Sequence, residues 1–197
     1  GTIGGAKKTS AELLLRLASA LLLGAAALGM AWWGAKPFAV LVLVVGLLMS
    51  WEWGRVVRGV EFDLTFIVHA IAVTIAVALA AFGYAALGLA VLVIATIIAI
   101  PLQFGERGLM SAVGVLYTGL PAVALLWLRS DADPWGFRAV LFIFTLVWAT
   151  DSFAYFAGRL IGGPKLWPSV SPNKTWSGLT GGVIAGAGAA GVFAHLV

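Results

Sequence analysis

The sequence predicts an all-α integral membrane protein with about seven transmembrane helices and a cytosolic N-terminus. Of the 197 residues, 62% are hydrophobic and only 10% are charged, whereas a soluble domain of this size needs far more polar surface. Apolar runs of about 20 residues, the length that crosses a bilayer, recur between short connectors rich in glycine, proline and charge. Basic residues fall mainly on one side of the resulting topology, which orients the chain.

The predicted spans follow one another along the chain. They lie near Glu12 to Trp33, Pro37 to Trp53, Leu64 to Phe82, Tyr84 to Ile100, Gly108 to Leu128, Trp135 to Gly158 and Pro172 to Val197. We divide the chain into an N-terminal segment, 1–11, the helices of 12–134, and the helices and polar loop of 135–197. The opening "GTIGGAKKTS" has no apolar run, so we interpret it as a cytosolic tail or a cloning remnant rather than a signal peptide.

The orientation follows from the 12 basic residues. With a cytosolic N-terminus, nine of them face the cytosol: Lys7, Lys8, Arg16, Arg55, Arg58, Arg107, Arg159, Lys165 and Lys174. Three face the other side: Lys36, Arg129 and Arg138. Cytosolic loops are enriched in lysine and arginine, so the polar loop before the last span is expected in the cytosol. Tryptophans such as Trp127 and Trp167 lie mainly at span ends, as interfacial anchors do.

Several chemistries are excluded by composition. The chain contains no cysteine, so it has neither a disulfide framework nor a cysteine nucleophile or metal site. The net charge of +4 is too small and too scattered for a nucleic-acid surface, and a bilayer with anionic lipids is the better partner. The sequence has no Walker-type loop, zinc-ligand cluster or nucleophile elbow.

The segment "SPNKT" is the most polar stretch beside a predicted span. Ser171 suits a helix N-cap and Pro172 the first helical position, because the hydroxyl accepts a free amide and proline lacks one. The amides of Asn173, Lys174 and Thr175 would then point out of the first turn and form an anion site. A bound phosphate would also explain a lysine at a helix start, where a cation is otherwise unfavourable.

A second polar set lies in the preceding span. Asp151, Tyr155 and Arg159 are spaced by four residues and share one helix face. Asp151 lies roughly 12 Å deeper than Arg159 along the helix. A carboxylate at this depth is costly in lipid and should face a cavity, a counter-ion or a metal. An internal salt bridge is the structural alternative. Together the two sets predict a phosphate or nucleotide site with a divalent cation.

Other positions are expected to be structural. Gly178, Gly182 and Gly186 form a small-residue stripe that lets another helix approach closely. Glu52, Glu61 and Asp63 lie at span ends and are expected to be solvated or paired with nearby arginines. His69, within the third span, fits either a proton relay or a hydrogen bond to a neighbouring helix.

The succession "WATDSFAYFAGRLIGGPKLWPSVSPNKTWSGLTGG", from Trp148 to Gly182, resembles the phosphatidate cytidylyltransferases, also called CDP-diacylglycerol synthases. These proteins typically show an aspartate, then A-Y-F-x-G-R, a basic glycine-containing loop, S-P-x-K-T-W-x-G and paired glycines. Before Trp148 the resemblance extends only to the hydrophobic layout. The block is fairly specific to the family.

The resemblance implies transfer of the cytidylyl group of CTP to phosphatidic acid, with Mg²⁺ as cofactor, in phospholipid biosynthesis. It implies a multi-pass protein of the inner (cytoplasmic) membrane whose site faces the cytosol. We predict Lys174 and Asp151 as catalytic residues and Asp151 as the metal ligand. The predicted substrate-binding residues are Ser171, Pro172, Asn173, Thr175, Arg159 and Tyr155. The expected partners are CTP, phosphatidic acid, the lipid bilayer and, as a further expectation, a second copy of the chain; nucleic acid is not expected.

One family feature does not occur in this sequence. The family's C-terminal signature has a serine, a lysine-arginine pair, a lysine-aspartate pair, a histidine followed by glycines, and two further aspartates. The resemblance implies that these acids supply principal metal ligands. We therefore expect a truncated chain that preserves part of the site and has reduced or no activity alone.

Rival functions share some of these features. A CTP-dependent lipid-alcohol kinase or a CDP-archaeol synthase would also need a cytosolic triphosphate site, but the order S-P-N-K-T-W favours the cytidylyltransferase. A small transporter or channel would use Asp151 and His69 along its pathway and predicts internal repeats, none of which is convincing here. A purely structural membrane subunit leaves Lys174 and Asp151 unexplained.

Overall fold

The structure, a computed structural model, describes residues 3–102, 106–130 and 135–196. Within these residues it contains seven α-helices, one 3-10 turn and two short strands. The helices are α1 (Ile3–Trp33), α2 (Ala35–Arg58), α3 (Leu64–Ala81), α4 (Ala85–Ala99), α5 (Glu106–Arg129), α6 (Trp135–Leu160) and α7 (Trp176–Leu196). The strands, β1 (Lys165–Trp167) and β2 (Ser171–Thr175), lie between α6 and α7. The predicted helical membrane architecture is therefore confirmed, with one local exception at the strands.

The chain is a multi-pass membrane protein. Six segments of the described chain are long and apolar enough to cross a membrane: Ala35–Arg58, Leu64–Ala81, Ala85–Leu102, Arg107–Arg129, Trp135–Leu160 and Trp176–Leu196. Ala18–Trp33 is a shorter apolar segment of α1. The predicted N-terminal tail is helical from Ile3 onward. Part of the connector "RSDADPWG" falls on 131–134, which lies outside the described residues.

The chain forms two compact units, and we describe each by itself. Unit 1 is Gly1–Asp133 and unit 2 is Pro134–Val197. In unit 1, α5 contacts α2, α3 and α4. Val73, Ala76 and Ala80 of α3 are fully buried, because small and β-branched side chains let the helices approach closely.

Charged side chains at the α2–α3 connection of unit 1 are paired. Arg58 is buried, and its Nε and Nη2 donate to the two carboxylate oxygens of Asp63 at 2.8 and 3.0 Å. Asp63 also caps α3, since its Oδ1 accepts the Phe66 N–H at 2.7 Å. Arg55 lies 3.8 Å from Glu61 in an exposed pair. The predicted structural interpretation of Glu61 and Asp63 is confirmed.

His69 is fully buried in the same unit. Its Nε2 lies 2.9 Å from the carbonyl oxygen of Ser111 on α5, and because a carbonyl only accepts, Nε2 donates. Of the two interpretations of His69 that the sequence left open, the hydrogen bond to a neighbouring helix is the one that the structure contains.

Unit 2 is an antiparallel pair of helices, and its contact is built on glycine. Gly178, Gly182 and Gly186 are the buried residues of α7. A Cβ atom at Gly182 would lie 2.9 Å from the carbonyl oxygen of Thr150, and one at Gly178 would lie 2.9 Å from that of Ala154. No larger residue fits without moving the α6 backbone. The predicted close approach along this stripe is confirmed.

Candidate active site between the last two helices

The polar loop between α6 and α7 folds as an antiparallel hairpin. Lys165 of β1 pairs with Thr175 of β2, and Trp167 pairs with Ser171, with an irregularity between the two pairs. The Val170 N–H donates to the Trp167 carbonyl at 3.2 Å and closes the turn. We call the segment 162–175 the hairpin.

The loop that leads into the hairpin depends on two glycines. Gly162 and Gly163 have φ values of +67° and +102°, a region that side chains with a Cβ rarely adopt. The Gly162 carbonyl accepts a hydrogen bond from the Ser177 hydroxyl of α7. These contacts fix the hairpin against the start of α7.

The predicted start of the last helix is wrong. Ser171 and Pro172 are strand residues, and α7 begins at Trp176. Thr175 caps the helix instead, because its hydroxyl accepts the Gly178 N–H at 3.1 Å. Threonine offers the same capping oxygen as serine, and proline is tolerated at the edge of a two-stranded ribbon, where no ladder donor is needed.

The predicted amide-based anion site is also wrong. The amides of Asn173, Lys174 and Thr175 belong to β2 rather than to a first helical turn. At the actual start of α7, the Trp176 N–H donates to the Pro164 carbonyl at 3.1 Å, and the Gly178 N–H is used by the cap. The charged and amide side chains around the start of α7 are therefore the groups that we consider for anion binding.

Those side chains line one pocket of about 800 Å³ between α6, the hairpin and α7. This volume falls in the range of small-molecule sites. The lining residues are Asp151, Ala154, Tyr155, Gly158, Arg159, Leu166, Asn173, Lys174, Thr175, Gly178 and Leu179. The structure thus brings together six of the eight predicted site residues. Ser171 and Pro172 do not line the pocket.

Tyr155 and Arg159 form a pair on one face of α6, as their spacing predicts. The Arg159 Nη1 donates to the Tyr155 hydroxyl at 2.7 Å, and the guanidinium carbon lies 5.9 Å from the centre of the ring. A guanidinium has five N–H donors, so this pairing orients Arg159 and leaves donors for an anion. Both side chains are exposed to the pocket.

Asp151 and Lys174 are the other two charges of the pocket. Both side chains are exposed, and within the described residues neither forms an ion pair or a side-chain hydrogen bond. Asp151 lies well inside the membrane-spanning segment Trp135–Leu160. An intramembrane carboxylate without a counter-ion indicates a functional cavity. The sequence left an internal salt bridge of Asp151 open as an alternative, and the described residues contain no such salt bridge.

Thr175 and Asn173 differ in their availability for binding. Thr175 is only 6% exposed, and its hydroxyl is shared between the cap and the Ser177 hydroxyl, 3.0 Å away. Asn173 is exposed in the pocket. Thr175 therefore positions the start of α7, whereas the Asn173 side chain, which has no hydrogen-bond partner among the described residues, can offer its amide to a ligand.

The pocket contains few side chains that could bind a metal ion. Among the described residues, no group of three or more His, Cys, Asp or Glu side chains could hold an ion, and Asp151 is the single carboxylate of the pocket. Mg²⁺ in nucleotide sites is typically held by one or two carboxylates together with substrate phosphates. The pocket thus fits an ion that arrives with a triphosphate better than a permanently bound one.

Sequence reasoning missed the apolar part of this site. Leu166 and Leu179 line the pocket beside the backbone of Gly158 and Gly178. Gly158 is small by necessity, because a Cβ there would lie 3.0 Å from the Thr175 hydroxyl oxygen. In the sequence, the pair Gly162 and Gly163 indicates that α6 is followed by a tight turn rather than by further helix.

Comparison with known proteins identifies the class. The cytidylyltransferase family model matches residues 14–197, so the match covers both units. The chain belongs to the cytidylyltransferase family. Membership makes it a membrane enzyme of the nucleotidyltransferase type, in agreement with its apolar helices and its charged pocket.

Named relatives make the identification more specific. A phosphatidate cytidylyltransferase of Brucella abortus (strain 2308) is 36% identical, over 94% of this chain and 69% of that protein. The phosphatidate cytidylyltransferase of Haemophilus influenzae is 41% identical over 47% of this chain and 34% of that protein. That of Staphylococcus epidermidis (strain ATCC 12228) is 46% identical over 36% of this chain and 25% of that protein. No solved structure matches the chain significantly.

Proposed function

We propose that the chain carries the site for cytidylyl transfer from CTP to phosphatidic acid in phospholipid biosynthesis. A phosphate oxygen of phosphatidic acid forms a bond to the α-phosphorus of CTP, and the bond between the α-phosphorus and the bridging oxygen to the β-phosphate breaks. The products are CDP-diacylglycerol and pyrophosphate. The observation that carries this proposal is the pocket itself, which is lined by Lys174, Arg159 and Asp151 in a chain of the cytidylyltransferase family.

The proposed roles follow from the chemistry of each side chain. The attacking phosphate is already nucleophilic, so the protein must align it and offset negative charge on the triphosphate. Lys174 supplies a mobile positive charge, and Arg159, oriented by Tyr155, supplies planar donors that match phosphate oxygens. Asn173 offers a neutral amide to the nucleotide or its phosphates. No covalent intermediate with the protein is required.

Mg²⁺ is the proposed cofactor, and Asp151 would hold it. Bound with the triphosphate, the ion would offset phosphate charge and polarise the reacting phosphorus. Without an anionic ligand, the pocket carries the charges of Arg159 and Lys174 against that of Asp151 alone. This residual positive charge suits a polyanionic substrate.

The proposed location is the inner (cytoplasmic) membrane with the pocket facing the cytosol. CTP is cytosolic, and the hairpin joins two membrane-spanning helices, so the pocket lies near the membrane surface. Phosphatidic acid can then reach it from the bilayer while CTP reaches it from water. A homodimer stays a prediction.

A CTP-dependent lipid kinase is the second candidate, because the same side chains would bind the same nucleotide. The two reactions differ in the bond that breaks. A kinase transfers the γ-phosphate and releases CDP, whereas a cytidylyltransferase releases pyrophosphate. Product analysis therefore separates the two functions directly.

The test uses the purified chain in nanodiscs with Mg²⁺ and CTP labelled at the α-phosphorus. Cytidylyl transfer to phosphatidic acid would put label in the lipid fraction and release an equal amount of pyrophosphate. With diacylglycerol in its place we expect no lipid product. Release of CDP with either lipid would instead favour the kinase, and CTP binding without any product would show that this chain carries the nucleotide site but not turnover.

A further inference from the structure

The hairpin and the end of α6 expose apolar side chains that the pocket does not use. The exposed fraction is 82% for Leu160, 75% for Ile161, 63% for Trp167 and 71% for Val170. None of the four lines the pocket. Exposed apolar side chains at the end of a membrane-spanning helix and in the loop that follows it favour an apolar environment over water.

The hairpin connects two membrane-spanning helices, and this position limits the possible partners of its exposed side chains. α6 ends at Leu160 and α7 begins at Trp176, and both helices are long and apolar enough to cross a membrane. The connecting residues therefore start and finish at the membrane surface. Each strand has at most five residues, and at about 3.3 Å per residue the tip of the hairpin lies within roughly 17 Å of that surface.

The charge of residues 152–197 indicates which kind of membrane surface the hairpin contacts. From Ser152 to Val197 the sequence contains no acidic residue, and of the basic residues Arg159, Lys165 and Lys174 only Lys165 lies outside the pocket. Basic side chains beside exposed tryptophan and aliphatic side chains are typical of segments that lie in the headgroup layer of anionic membranes.

The two faces of β1 separate the pocket from this surface. Leu166 is half-buried and lines the pocket, whereas its neighbours Lys165 and Trp167 are exposed and do not. Successive side chains of a strand point to opposite faces. One face of β1 thus closes the pocket, and its other face, with Lys165 and Trp167, is free to contact lipid.

We propose that the hairpin lies in the headgroup layer of the bilayer, with Trp167 and Val170 among the lipids and Lys165 holding anionic headgroups. This lipid-binding surface is distinct from the pocket, and its occupation requires neither CTP nor turnover. The proposal therefore stands or fails separately from the proposed reaction.

The absence of cysteine allows the depth of single positions to be measured. Val170→Cys and, as a matched control on the pocket side of the same hairpin, Asn173→Cys are labelled with an environment-sensitive fluorophore in nanodiscs. Lipids that carry a spin label near the headgroup should quench the label at position 170 strongly, and aqueous iodide should quench the label at 173. Equal quenching by iodide at both positions would overturn the proposal.

Preference for anionic lipid is measured on the same labelled protein. Spin-labelled phosphatidylglycerol should quench position 170 more than spin-labelled phosphatidylcholine at the same mole fraction, by about two- to fivefold. Lys165→Gln should remove most of this preference. Lys36→Gln, which removes an exposed positive charge at the start of α2, should leave it unchanged. Equal quenching by the two lipids in the unsubstituted hairpin would overturn the assignment of Lys165 as a lipid-binding residue.

Discussion

Unit 1 and unit 2 use charged side chains in different ways. In unit 1 the buried arginines are engaged by protein groups: Arg58 binds Asp63, and Arg129 donates to the carbonyls of Ala31 and Trp32 at the end of α1. In unit 2, Asp151 and Lys174 face a pocket without protein partners among the described residues.

The difference separates structural charges from functional ones. A charge within a membrane protein is costly unless it is paired or serves a ligand. In the described part of unit 1 the buried arginines are satisfied by protein groups, which fixes helix positions. Unit 2 leaves Asp151 and Lys174 available, which is consistent with a site for a charged substrate. Substitution of matched residues in the two units tests this distinction.

The largest expected effect is on the stability of unit 1. Arg58→Met removes the guanidinium that binds the partly buried carboxylate of Asp63 and should lower the free energy of unfolding by about 3–5 kcal/mol. Arg55→Met removes an exposed pair and should cost no more than about 1 kcal/mol. Denaturation of both variants in detergent, followed by circular dichroism, measures the difference. Equal losses would mean that burial does not distinguish the two arginines.

The next effect is on the chemistry of unit 2. Lys174→Ala should lower cytidylyl transfer about 100-fold, because a positive charge that stabilises the reacting phosphates is lost. Lys165→Ala, in the same hairpin but outside the pocket, should have little effect on transfer at saturating lipid. Both variants should keep the melting temperature of the parent protein. If Lys174→Ala lost folded protein in proportion to activity, Lys174 would be a structural residue.

A smaller effect is expected on the contact between α6 and α7. Gly182→Leu forces a side chain against the Thr150 carbonyl and should cost about 1–3 kcal/mol of stability. Gly188→Leu is the matched control, because no atom lies within 4 Å of a Cβ at that position. Thermal unfolding of the two variants checks the prediction. Similar melting temperatures would show that the glycine stripe does not hold the helices together.

The smallest expected effect concerns Mg²⁺. Asp151→Asn should raise the Mg²⁺ concentration for half-maximal transfer by about tenfold, as the loss of a group that supports a metal site does. Glu61→Gln removes an exposed acid of unit 1 and should leave the Mg²⁺ dependence unchanged. A titration of transfer activity against Mg²⁺ compares the two. An unchanged dependence in Asp151→Asn would remove Asp151 from the metal site.

The helices were predictable from sequence because each membrane-spanning helix corresponds to a long apolar run. Apolar runs of about 20 residues bounded by glycine, proline and charge leave few alternatives, and α3 begins at the predicted Leu64. The face shared by Tyr155 and Arg159 and the glycine stripe of α7 follow from helical spacing alone.

The hairpin was not predictable in the same way. Its strands have three and five residues, too few for an alternating pattern, and Pro172 argues against a strand. Ser171 and Thr175 are both good capping residues, and the choice between them depends on contacts that only the folded chain supplies. Six of the eight predicted site residues thus line one pocket, whereas the local backbone predicted for the segment 171–175 is wrong.

The central claim is that the pocket of unit 2 binds CTP through side chains. Calorimetric titration of the purified chain in detergent with CTP, with and without Mg²⁺, tests it most directly. We expect saturable binding that is strengthened by Mg²⁺, weakened at least about tenfold by Lys174→Ala, and unchanged by Lys165→Ala. Absence of binding in a chain shown to be folded, or equal binding by both variants, would contradict the account.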